Sequence, residues 1–126
     1  MKKMILFFSH NLTDEQREDA KSKWYIEAFL TLPAELQTLW SNVPAQLEDI
    51  EHYLEPMKAF LLKNVSKDDI VLVQGDFGAT YKIVTLLKSF HIAAVYATTK
   101  REVEEKEVNG KIVKTSVFKH IRFRRY

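Results

Sequence analysis

A chain of 126 residues with 46% hydrophobic content suits a single domain over residues 1–126 with one contiguous core, and is too short for two ordinary domains. Cysteine is absent, which excludes a disulfide framework, thiolate chemistry and the cysteine-containing zinc motifs. The net charge of +2 is uneven: residues 100–126 hold nine Lys/Arg against four Glu, a local +5 that leaves −3 for the rest.

Such a basic end on a nearly neutral domain fits a polyanionic ligand better than duplex DNA, which asks for a higher overall charge. On charge alone, a solvated lysine-rich hairpin is the plainer reading. The start resembles a signal peptide, but its apolar run, Met4 to Phe8, is too short for a secretory core or a membrane span and reads as a buried strand. A cytoplasmic protein without a membrane partner is expected.

After that strand, Thr13 with Gln16 three residues on predicts a capping box that opens a helix. Ala28 to Leu32 reads as a second strand closed by Pro33, and Ala34 to Trp40 as a short helix or turn before Pro44. Leu47, Ile50, Leu54, Met57 and Leu61 follow steps of three and four, which predicts a helix from about Leu47 to Asn64 that Pro56 kinks or divides. Asp69 to Gln74 is a continuous apolar run, the pattern of a central strand covered on both faces.

The turn Gly75 to Gly78 precedes a helix expected over Ala79 to Phe90, with Ile83, Val84, Leu86, Leu87 and Phe90 inward. His91 to Ala97 reads as the next buried strand. Val103 to Val108, Asn109-Gly110 and Ile112 to Phe118 describe a tight hairpin, and Phe118 to Phe123 either extends it or returns to the main sheet. The fold class that follows is α/β, a mainly parallel sheet flanked by helices with a C-terminal β-hairpin.

In such sheets ligands collect outside the carboxyl ends of the strands. Three polar clusters stand at predicted strand ends: Ser9-His10-Asn11, Gln74-Gly75-Asp76-Phe77-Gly78-Ala79-Thr80, and Thr98-Thr99-Lys100-Arg101. Gly75 and Gly78 allow close backbone approach to a ligand, and free amides at Gly78, Ala79 and Thr80 would favour an anion at the start of the following helix. A glycine-permitted turn with Asp76 as helix cap explains the segment equally well, and its spacing matches neither the Walker pattern nor GxGxxG.

Lys100 and Arg101 can neutralise a phosphate or stabilise charge that develops on it, or form the basic flank of an exposed loop. His10 can donate to a phosphate or act as acid or base, although a lone histidine is more often structural. Ser9 and Asn11 can bond a sugar or phosphate, or simply finish the strand. The acidic residues form no compact ligand pattern and His52, His91 and His120 are scattered, so no metal and no cofactor are expected. Among the aromatic residues, Tyr81 and Trp40 are the candidates for stacking on a base.

Ile5-Leu6-Phe7-Phe8-Ser9-His10, Gln74-Gly75-Asp76-Phe77-Gly78-Ala79-Thr80-Tyr81, Tyr96-Ala97-Thr98-Thr99-Lys100-Arg101 and Phe118-Lys119-His120-Ile121-Arg122-Phe123 together resemble a family of small stand-alone CRISPR-associated proteins. These are similar to the ring nucleases of type III CRISPR systems, which have a Rossmann-like CARF domain. The resemblance implies metal-independent opening of a cyclic oligoadenylate second messenger, cyclic tetra-adenylate for preference, by attack of a ribose 2′-hydroxyl, which switches off an antiviral signal. It further implies Lys100 as the group that stabilises the pentacoordinate phosphate, Ser9 and His10 as groups that orient the ribose or move a proton, and a homodimer around the ligand. A non-catalytic sensor of the same ligand, an RNA-binding protein using the basic end from Lys119 to Arg125, and an enzyme acting on an ordinary mononucleotide are the competing readings.

Overall fold

The computed structural model covers Met1–Tyr126. In chain order the elements are β1 (Lys3–Phe7), α1 (Asp14–Trp24), β2 (Ala28–Thr31), α2 (Ala34–Ser41), α3 (Glu51–Asn64), β3 (Ile70–Val73), α4 (Phe77–Ser89), β4 (Ala93–Val108) and β5 (Lys111–Arg125). They build one five-stranded sheet in the order β2-β1-β3-β4-β5. The pairs β1/β2, β1/β3 and β3/β4 are parallel, whereas β4/β5 is antiparallel.

The sheet is therefore mixed, not mainly parallel as the alternation of strands and helices predicts. The reason lies in the last turn. Asn109 and Gly110 both take positive φ, 51° and 76°, the pair that a tight hairpin matched to strand twist requires, and β5 returns along the whole of β4. The ladder from Val95↔Arg125 to Val108↔Lys111 is longer than the three parallel pairings together. Phe118 to Phe123 belongs to this one strand, whose Phe123 is buried opposite Ala97.

Helices cover both faces. Ile5, Phe7, Val71, Val73 and Ala94 point into a core shared with α2, α3 and α4. Their alternates Met4, Leu6, Ile70, Leu72 and Val95 pack with Ala20 of α1 and Phe123 of β5. All four residues of β3 are buried, as a strand covered on both sides must be.

The capping box is present: Gln16 N donates to Thr13 Oγ1 at 3.2 Å and Thr13 N to Gln16 Oε1 at 2.9 Å. α3 begins at Glu51, so Leu47 lies outside it and is exposed; Asp49 Oδ1 accepts from Glu51 N at 2.8 Å and turns the chain there. Pro56 lies inside α3, which continues past it as one helix. α4 starts two residues early at Phe77 and leaves Phe90 exposed. His91 takes a left-handed conformation (φ 57°), and Ile92 N closes back on Leu87 O at 3.0 Å, so β4 begins at Ala93. No helix is long and apolar enough to cross a membrane.

Candidate functional site

With strand order 2-1-3-4-5, connections diverge between β1 and β3, and the rule for open α/β sheets places a ligand crevice at their carboxyl ends. Ser9-His10-Asn11 and the Gln74 to Thr80 turn do emerge there, joined by Gln74 N donating to Phe7 O at 2.9 Å. Much of the crevice is filled by protein. Trp40 of α2 is 1% exposed, meets Phe7 edge to face at 5.2 Å, and donates from Nε1 to Gln74 O at 3.0 Å. It cannot stack on a base. Gln74 Oε1 accepts from Ala97 N at 2.7 Å, which ties β4 to the same turn.

Gly75 has a structural explanation, because a Cβ there would sit 2.9 Å from the Trp40 ring. The close approach is to indole, not to ligand. Asp76 is the helix cap: its Oδ2 accepts from Ala79 N at 3.0 Å and its carbonyl from Thr80 N at 2.8 Å. Of the three amides expected to be free, those of Ala79 and Thr80 are thus used. The Thr80 hydroxyl is buried without a partner.

Gly78 differs from Gly75. A Cβ there would make ordinary contacts, 3.5 Å to Asp76 Oδ2 and 3.6 Å to Ile50 Cδ1, so folding does not demand glycine in this first helical turn. Gly75→Ala is expected to lose about 1–3 kcal/mol through overpacking, whereas Gly78→Ala is expected to hold or gain up to about 1 kcal/mol. Urea melts of the two variants check this; equal losses would mean that both glycines serve packing.

On the other side of β1 a cleft of about 330 Å³ opens at the ends of β1 and β2. Ser9, His10, Asn11, Arg17, Thr31 and Gln37 line it above leucines. Ser41 Oγ donates to Ser9 Oγ at 2.9 Å, Gln37 Nε2 donates to Phe8 O at 2.5 Å, and His10 meets Phe8 edge to face at 5.4 Å. Arg17 lies over the Phe29 ring at 5.0 Å and forms no ion pair, which leaves its guanidinium for an anion. Arg17, Thr31 and Gln37 carry no motif. The one sequence signal for Arg17 is the capping box, which starts α1 so that its second turn returns to the loop after β1.

The segment Thr98-Thr99-Lys100-Arg101 does not follow a strand; it lies within β4, because β5 continues the ladder beyond the end of β3. Side chains alternate along a strand, so Tyr96, Thr98 and Lys100 share the α4 side with Ala94, whereas Ala97, Thr99 and Arg101 share the α1 side with Val95. Lys100 and Arg101 therefore point to opposite faces and do not clasp one phosphate. Thr98 Oγ1 donates to Arg122 O at 3.0 Å and accepts from Arg122 N at 3.2 Å, and Arg101 bonds Ser116 Oγ at 2.8 and 3.1 Å. Lys100 is exposed and without an ion-pair partner, facing Lys119, which pairs with Glu102 at 3.1 Å.

Lys100 does not line the Ser9-His10 cleft. β3 separates β1 from β4, a lateral gap of roughly 10 Å. The structure thus divides the predicted site into a cleft beside β1 and a cationic row on β4.

No solved structure matches the chain. A relative, "Uncharacterized protein MJ1673" of Methanocaldococcus jannaschii (strain ATCC 43067 / DSM 2661 / JAL-1 / JCM 10045 / NBRC 100440), is 48% identical over 126 residues, which is 100% of this chain and 98% of the relative. Together with a family model that matches residues 2–124, this places the chain in the Uncharacterized protein MJ1673 family.

Proposed function

We propose that the protein binds a cyclic oligoadenylate, cyclic tetra-adenylate for preference, and opens its ring on a Rossmann-like, CARF-type scaffold. The observation that carries this reading is the emergence of Ser9-His10-Asn11 and the Gln74 to Thr80 turn at the switch point of a 2-1-3-4-5 sheet. The unpaired Lys100 and a Gly78 that folding does not require add to it. In the reaction, a ribose 2′-hydroxyl gives up its proton as its oxygen attacks the adjacent phosphorus, the bond to the 5′-oxygen breaks, and that oxygen takes up a proton, so that none is gained or lost overall. The products are a 2′,3′-cyclic phosphate and a 5′-hydroxyl.

Lys100 stabilises the charge on the pentacoordinate phosphate, and Ser9 and His10 hold another part of the ring. A cyclic tetranucleotide is broad enough to touch both half-sites, and its two-fold symmetry suits a homodimer.

The test is incubation with cyclic tetra-adenylate in EDTA, read by mass spectrometry beside Lys100→Ala. Linear products ending in 2′,3′-cyclic phosphate are expected, with turnover about 100-fold lower in the variant. The separation of Lys100 from Ser9 and His10 favours one other reading, a sensor that binds the ring without cutting it; tight binding with an intact ligand would select it. A ligand that neither binds nor changes would overturn both.

A further inference from the structure

The antiparallel ladder extends the cationic row that begins at Lys100 with two arginines that neither half-site explains. Its rungs Tyr96↔Arg124, Thr98↔Arg122 and Lys100↔Lys119 bring Arg124, Arg122 and Lys100 to the α4 side of the sheet. None of these three forms an ion pair, whereas Lys119 opposite Lys100 and Lys114 further out are matched by Glu102 and Glu105. On the ladder's other face Arg125 lies over Trp24 at 5.2 Å and Arg101 bonds Ser116.

The row is also held in place. Arg124 lies over the Tyr96 ring at 4.8 Å and its Nε donates to the Tyr96 hydroxyl. Tyr96 packs on Tyr126 at 4.8 Å, and the Tyr126 hydroxyl donates to Val73 O. The Arg122 backbone is held on both sides by Thr98 Oγ1.

We propose that this face of β4 and β5 is also a track for the sugar-phosphate backbone of a linear single-stranded nucleic acid, which shares Lys100 with the ring-opening site and is otherwise made by Arg122 and Arg124. Arg124 and Arg122 stand on alternate rungs about 7 Å apart, close to the interval at which an extended single strand sets its phosphates, so each can meet its own phosphate, and Lys100 continues the row past a register shift between Thr98 and Thr99. Phe77 is 95% exposed, on the helix that packs on this same face and three residues beyond Gln74, which holds Ala97; it offers a ring to an unpaired base. A duplex would need a wider basic surface than three rungs beside a body of net charge −3.

The test is fluorescence anisotropy of the full-length protein with labelled strands of about 12 nucleotides, ribo and deoxyribo of one sequence, and their duplex, over about 50 to 200 mM salt. Single strands are expected to bind with a log–log salt slope near −2, since three neutralised phosphates contribute about 0.7 each. The Arg122→Ala/Arg124→Ala double variant is expected to weaken binding about tenfold and flatten the slope by about 1.4, while Lys111→Ala/Lys114→Ala at the hairpin tip leaves both unchanged. Binding of the ribo or the deoxyribo strand alone supports the track and identifies the sugar it takes. Equal or tighter binding of the duplex, no binding of either single strand, or equal effects of the two double variants would overturn it. Cyclic tetra-adenylate turnover has no bearing on these outcomes, so the two readings fail separately.

Discussion

Replacing Trp40 with alanine is expected to remove about 4 kcal/mol of stability, measured as a shift in urea midpoint at unchanged slope. The indole is 1% exposed and makes three kinds of contact: an edge-to-face pairing with Phe7, a hydrogen bond to the Gln74 carbonyl, and close packing on Gly75. Truncation opens a cavity where β1, α2 and β3 meet and leaves that carbonyl short of a donor, and such losses add to the transfer term. A domain of this size has about 5–15 kcal/mol in total, so the variant is marginal. Trp40→Phe keeps most of the apolar volume and loses the N–H, for an expected cost of about 1–2 kcal/mol. A loss below about 1 kcal/mol for alanine would show that the turn after β3 is held without the indole.

The second large effect is expected at Asp69, the buried acid before β3. Its side chain is almost wholly inaccessible, yet it accepts from Lys3 Nζ at 2.5 Å, Ser66 N at 2.7 Å and Lys3 N at 3.1 Å. Burial pushes its pKa up, but the Lys3 ammonium and the two backbone amides outweigh burial and hold it below the usual carboxylate value. Asp69→Ala leaves these donors without their acceptor at the start of two central strands, an expected cost of about 3 kcal/mol at neutral pH.

The sign of the pH dependence follows from the lowered pKa. The carboxylate's contribution is fully present above its unfolded value of about 3.9 and is lost as pH falls through the still lower folded value. The difference in stability between wild type and variant is therefore expected to be constant at neutral pH and to narrow below about pH 4. Urea melts across that range check it. Taking the difference removes other acids that titrate nearby, including Glu51, whose pKa Lys58 and Lys82 bring down to about 2. A difference that stays constant down to acid pH would show that Asp69 acts through packing and not through its charge.

Several elements were legible because their signals are local. Thr13 and Gln16 are three residues apart, so the capping box needs only the chain itself to place the start of α1. Ile70 to Val73 is continuously apolar because both sheet faces are covered, and Asn109-Gly110 supplies the two positive φ values that force a hairpin. These features determine a sheet covered by helices and ended by a hairpin, and they bring Ser9-His10-Asn11 and the Gln74 to Thr80 turn to one end of it.

Tertiary structure decided the rest, because those properties depend on partners distant in sequence. Gly75 reads as a place where a ligand approaches until Trp40, thirty-five positions earlier, is found against it. Lys100 and Arg101 read as a pair at a strand end until the ladder with β5 shows them inside one strand, facing opposite ways. The stretch from Thr98 to Glu102, which joins the buried strand to the hairpin arm predicted from Val103, lacked a strand signal since a two-stranded ladder in solvent has no apolar face to bury. The capping box placed Arg17 in the second turn of α1, but that this turn lines the cleft beside β1 is a matter of packing. Local hydrogen-bonding chemistry and the periodicity of burial are written residue by residue; which side chain fills a crevice, and which cations remain unpaired, depends on how the elements pack.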